Sequence, residues 1–135
     1  MNVEISKIPV REVMTTSLVT VGPLTTVYQV AKMMEQGGFG SVLVKEKEDH
    51  VGILTDRDFA IKIAAKKYPL DTPVRYLASF PLHTVESSES ILVAAHKMSS
   101  KKIRKLVVVE EGKVVGIITS TGIVNQLSKM VLAST

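Results

Sequence analysis

The stretch GILTDRD runs from Gly52 to Asp58, and a near copy, GIITSTG, runs from Gly116 to Gly122. Both read as a strand that turns into a helix, but one closes on a carboxylate and the other on a glycine. Sliding the chain against itself by the same 64 residues (Gly52 onto Gly116) aligns Pro9 to Ala60 with Pro73 to Val124, and no gap is needed. Identities fall at Pro9/Pro73, Val10/Val74, Arg11/Arg75, Thr20/Thr84, Met34/Met98 and Val44/Val108, then through Gly52/Gly116, Ile53/Ile117 and Thr55/Thr119. Chance does not hold matches to one constant offset, so the chain is a tandem duplication.

Each copy is built alike. A Pro-initiated turn, PVREVM or PVRYLA, leads to a short extended piece, LVTV or LHTV. A helix follows whose apolar positions are Val27, Val30, Ala31 and Met34, mirrored by Ile91, Ala94, Ala95 and Met98. These are i, i+3, i+4, i+7 positions, so one face is buried. Thr25 and Thr26, and Ser88, Glu89 and Ser90, suit the helix starts, and the glycines at 37 and 38 stop the first helix. Two strands come next, SVLV and VGIL in one copy, KLVVV and VVGII in the other, joined by charged turns. A second helix is predicted from about Asp56 to Ala65, and its counterpart from about Ser120 to Met130. The order is strand, helix, strand, strand, helix, twice: an α+β chain of tandem β-α-β-β-α repeats. The repeats are expected at 9–65 and 73–130, with a polar linker, 66–72, between them. A unit of that size is marginal alone, because small domains bury too little of their surface. The expected solution is two copies packed sheet against sheet around a pseudo-twofold axis, as one compact globule.

A β-α-β-β-α repeat that ends in a GIxTxxD-like turn and occurs as a tandem pair resembles the CBS domain pair, or Bateman module. The resemblance covers nearly all of the chain and rests on TSLVTVGPLTTVYQVAKMM, GGFGSVLV, VGILTDRD, KIRKLVVV and VVGIITSTG together. It implies a regulatory module that binds an adenosyl compound (AMP, ADP, ATP or S-adenosylmethionine) in clefts between the repeats. Such a module passes its ligand state to a partner protein or a dimer mate, and it is not an enzyme. In the family the Asp of the motif holds the ribose diol and the Thr lies near sugar and phosphate. Basic residues at the start of the middle strand of the other repeat meet the phosphates, and the first strand frames the base.

Carried over, the resemblance makes Thr55 and Asp58 ligand residues, with Arg104 and Lys105 as phosphate contacts and Thr20 and Thr119 as further ligand-binding residues. The second copy keeps Thr119 but has Gly122 in place of the Asp, and the first copy has Gly40 and Ser41 in place of the basic pair. The better furnished site therefore combines Asp58 with Arg104 and Lys105. The chemistry is sound in its own terms. A carboxylate accepts two hydrogen bonds from a cis-diol, a helix start favours phosphate, and Arg presents a planar fork to phosphate oxygens. A ligand-free reading stands beside it: Thr-x-x-Asp is also a capping box. The two roles are compatible. Arg104 and Lys105 belong to the run KKIRK, which equally fits a solvated face.

Composition narrows the remaining classes. The chain has 135 residues, no cysteine and a net charge of +4. That leaves no disulfide frame and no thiolate metal site or nucleophile, and a cytoplasmic location is expected. No apolar run is long enough for a membrane helix, and the opening MNVEISKIPV has no signal-peptide core. His50, His83 and His96 fit no metal spacing, so no metal is expected; His83 alone keeps a reservation, because its strand borders the second cleft in the family. No Ser-His-Asp order or Walker-type loop occurs. The alternatives to a nucleotide sensor are a structural dimerisation or adaptor module and, more remotely, a nucleic-acid binder. Scarce aromatics and the lack of a recognition-helix pattern count against the last. A homodimer is expected, with Phe59, Ile63, Ile123 and Leu127 of the second helices as its exposed apolar surface.

Overall fold

In the computed structural model of the protein, which describes residues 4–133, the hydroxyls predicted to start the first helices do so. Helix α1 spans Val27–Gly37 under Thr26, whose side chain accepts from the Gln29 amide while the Gln29 side chain accepts from the Thr26 amide. This reciprocal box satisfies two N–H groups that the helix itself cannot. Helix α3 spans Ile91–Lys101 under Ser90, whose Oγ accepts from the Val93 amide at 3.2 Å. Both helices end on a left-handed residue, Gly38 in one and Lys102 in the other. Their apolar faces are buried through Val27 and Val30, and through Ile91, Ala94 and Met98.

Each copy contributes a sheet of three strands. In the first, β1 (Thr20–Val21) runs parallel to β2 (Ser41–Glu46), which pairs antiparallel with β3 (Asp49–Thr55). In the second, β4 (Thr84–Glu86), β5 (Lys105–Glu110) and β6 (Lys113–Thr119) repeat that order. The crossover from β1 to β2, and from β4 to β5, is what parallel pairing requires, and α1 and α3 supply it. The central strands carry three consecutive buried residues, Val42, Leu43 and Val44 in β2 and Leu106, Val107 and Val108 in β5. Burial on both faces explains why they read as continuous apolar runs, not as alternation. Full burial of each such side chain is worth about 1.5–3 kcal/mol.

The second helices follow β3 and β6 directly. Helix α2 starts as Asp56–Asp58 and continues as a π-helix over Phe59–Ala65. Its extent is as expected; its wider winding is not. Helix α4 spans Ser120–Ala133, beyond the expected end at Met130.

The folded units are cut differently from the sequence repeats. One unit is Leu18–Leu82; the other joins the residues up to Ser17 to those from His83 onward. Each Pro-Val-Arg leader therefore docks on the copy that does not follow it. The Val10 and Arg11 amides donate to the carbonyls of Glu89 and Ser87, while those of Val74 and Arg75 donate to Thr25 and Pro23. Val10 is fully buried in the core around α3, and Val74 in the core around α1.

Candidate functional site

Thr55 ends β3 with an extended backbone and caps α2. The Asp58 amide donates to its hydroxyl at 3.4 Å, and the Thr55 amide and hydroxyl donate to Asp58 Oδ2 at 2.8 and 3.1 Å. The other carboxylate oxygen faces Lys62, with Nζ 3.3 Å from Oδ1. The Asp58 side chain is only 14% exposed. An ionised carboxylate has about four lone-pair positions. Thr55 engages two of them and Lys62 a third, so that one is open and one is held only by a movable side chain. The capping-box reading of Thr55 and Asp58 is realised in full, together with a cation that the motif does not require.

In the other unit the same turn is simpler. Thr119 ends β6 and accepts from the Gly122 amide at 2.9 Å. The Ser120 amide donates to the Arg104 carbonyl at 2.9 Å, as the Asp56 amide does to the Gly40 carbonyl in the first unit. Lys105 pairs in register with Thr119, as Ser41 does with Thr55. The structure thus brings Thr55 and Asp58 together in one unit and Arg104, Lys105 and Thr119 together in the other. Arg104 is exposed and Lys105 half-buried.

Thr20 lies apart from the cap, on β1, with its Oγ1 3.2 Å from His50 Nε2. Burial and the Lys45 ammonium hold the His50 pKa below its ordinary value, with Asp49 pulling the other way. A neutral ring matches a hydroxyl partner, which can donate or accept. His83 is exposed and engages the sheet through its carbonyl, which accepts from the Val107 amide.

Lys62 is the residue that reading the sequence missed. The signal was present: a carboxylate four residues ahead of a lysine on one helix face is a favourable pair. No comparable signal links His50 to Thr20, which meet only through the folded sheet. The expected dimer surface needs correction. Ile63 and Ile123 are each 7% exposed and belong to the two cores, with Phe59 and Leu127 packed against them. Large apolar residues that the second helices do expose are Ile61, Val124, Val131 and Leu132. Beside Val124 lies an apolar groove of about 290 Å³, floored by Met98, Ile103 and Ile123 between α3 and α4. Two serines are its only polar lining, too little to fix a nucleotide. Among the described residues, no cluster of histidine and carboxylate side chains could hold a metal ion.

The architecture and the paired turns match one family. CBS domains are recognised at residues 10–65 and 74–129. The chain belongs to the CBS domain family. CBS domain pairs are typically regulatory and often bind nucleotides. The chain is 34% identical over 120 residues to the CBS domain-containing protein YhcV of Bacillus subtilis, covering 88% of this chain and 86% of that protein. It is 36% identical to protein MK0525 of Methanopyrus kandleri over 83% of its length, and it spans 59% of that relative. A solved conserved protein of Pyrococcus horikoshii superposes with a TM-score of 0.86 at 27% identity, covering 94% of this chain and 95% of that one. Among the described residues, no helix is long and apolar enough to cross a membrane.

Proposed function

We propose that this CBS chain is a regulatory sensor of an adenosyl nucleotide, AMP, ADP, ATP or S-adenosylmethionine, and that it signals ligand state to a partner protein or a second copy. The reading is supported above all by the Thr55–Asp58 turn. It holds a mostly buried carboxylate at a helix start, with one acceptor position open and another guarded only by Lys62. A ribose diol is a ligand of that shape and donor count. In this reading Asp58 takes the diol and Thr55 lies near the sugar. Arg104 and Lys105 meet the phosphates, while Thr20 and Thr119 complete the contacts. The second copy, with Gly122 in place of the carboxylate, does not bind in the same way.

A structural adaptor without nucleotide is the second reading, and one observation favours it. Asp58 already has partners on both oxygens, so it caps α2 without any ligand. Calorimetric titration with AMP, ADP, ATP and S-adenosylmethionine separates the two. The expected result is one adenosyl site per chain. Asp58→Asn is expected to weaken it at least tenfold, about the loss of one charge-assisted hydrogen bond. Arg104→Ala with Lys105→Ala weakens the phosphate-bearing ligands more than adenosine. Folded, ligand-stripped protein that binds none of the four is the adaptor.

A further inference from the structure

Lys62 reaches two groups at once. Its ammonium stands 3.3 Å from Asp58 Oδ1 and donates to the Leu77 carbonyl at 2.7 Å, all within the Leu18–Leu82 unit. Leu77 follows the 3₁₀ turn Val74–Tyr76 of the docked leader. Two residues on, Ser79 exchanges backbone hydrogen bonds with Ile53 of β3. One side chain therefore fastens the leader to the carboxylate at the head of α2.

The other copy has neither end of this contact. It carries Gly122 for Asp58 and Gln126 for Lys62. Its leader nonetheless docks by the same pairing, Thr15 with Ile117, and the Val13 carbonyl lies 3.8 Å from where a Cβ on Gly122 would stand. A lysine is thus not needed to dock a leader. It accompanies the carboxylate, and the copy without the carboxylate lacks it.

We propose that Lys62 is a built-in occupant of the Asp58 carboxylate, a cation that a diol-bearing ligand must displace, and that its release from Asp58 also loosens the leader at Leu77. The displacement step rests on the nucleotide reading above. Lys62 is then the residue that sets the affinity of the Asp58 site and carries its loading into the 74–79 segment. A side chain that is 30% exposed can swing outward without unpacking the core.

The test uses Lys62→Met, which keeps the stem and removes the charge, with Lys62→Gln as a second variant. Adenosine is the probe, because it carries the diol without a phosphate that would feel the lost charge at a distance. Lys62→Met is expected to bind adenosine about two- to fivefold tighter than the natural chain, the size of a partly exposed ion pair. In ligand-free protein, amide exchange at Leu77 to Ser79 is expected to speed up severalfold in the variant, and adenosine should produce the same change in the natural chain. Unchanged exchange in ligand-free Lys62→Met overturns the tie to the leader. Adenosine binding that is unchanged or weaker in both variants overturns the displacement. If neither protein binds adenosine or AMP, the nucleotide reading fails and the displacement with it, a result distinct from either of the others.

Discussion

The backbone of Thr15 exchanges two hydrogen bonds with Ile117, its amide donating at 2.8 Å and its carbonyl accepting at 3.0 Å. Ser79 does the same with Ile53 at 2.8 and 3.2 Å. Each pair joins a leader to the last strand of a sheet, and each strand carries a glycine just before the paired isoleucine. That glycine is the first letter of the duplicated GIxT motif. At Gly116 the absent side chain is what lets the leader approach.

The two glycines are not equally replaceable. A Cβ on Gly116 would stand 2.7 Å from the Thr15 carbonyl oxygen and from Met14 Sδ. Backbone held by two hydrogen bonds cannot step aside cheaply. The nearest atoms to a Cβ on Gly52 would be those of the Phe80 ring, at 2.6 Å, and that residue is 45% exposed. Gly116→Ala is expected to cost about 1–3 kcal/mol and Gly52→Ala less than about 1. Urea midpoints of the two variants decide it. Equal shifts would mean that the Thr15 segment yields as readily as a surface ring.

Much of this arrangement was legible beforehand, and the reasons are specific. The repeat, the i, i+3, i+4 faces and the Thr26 and Ser90 caps are local patterns, so the sequence carries them directly. Which copy a leader docks on is not local. Both leaders begin Pro-Val-Arg, and nothing in those residues distinguishes one sheet from the other. The same limit explains Ile63 and Ile123. Their helical face was visible, but whether a core or a partner covers it depends on how α2 and α4 lie on their sheets. The π winding of Phe59–Ala65 has no sequence signal that we can identify. At the site, the Thr55–Asp58 box was readable from spacing, whereas the second contact of Lys62, to Leu77, depends on the docked leader.

The C-caps offer a comparison internal to the chain. Gly38 and Lys102 occupy the same position of the repeat, with φ of 69° and 55°. Glycine takes this conformation freely, whereas a Cβ makes it unfavourable by about 1 kcal/mol. Lys102→Gly should therefore be more stable than Lys102→Ala by about that amount, both variants having lost the same charge. Gly38→Ala should lose a similar amount. Thermal and urea denaturation of the three variants check this, and a Lys102→Ala as stable as Lys102→Gly would mean that the cap relaxes out of the left-handed region.

The hydroxyl caps of the second helices should differ in strength. Thr55 accepts from the Asp58 amide and donates to its carboxylate, whereas Thr119 accepts from the Gly122 amide in a turn that carries no carboxylate. Removing an N-cap hydroxyl costs about 0.5–2 kcal/mol. Thr55→Ala is expected near the top of that range and Thr119→Ala near the bottom. Chemical denaturation measures both, and the reverse order would show that the carboxylate, freed from Thr55, finds an equal partner elsewhere.

His50 gives stability a pH dependence whose sign is fixed. Burial and the Lys45 ammonium hold its pKa in the folded chain below the ordinary 6.5, against a smaller opposite pull from Asp49. Between the folded and unfolded values the unfolded chain binds a proton that the folded chain does not, so stability rises with pH across that window. The contribution is complete above the ordinary value and is lost as the pH falls through it toward the folded pKa. His50→Gln removes the titration and keeps a group able to bond the Thr20 hydroxyl. Its urea midpoint is expected to vary less than that of the natural chain between about pH 7.5 and 5.5, the range in which histidine titrates. A His50→Gln profile parallel to the natural one throughout would mean that burial and the Lys45 ammonium do not lower the His50 pKa in the folded chain.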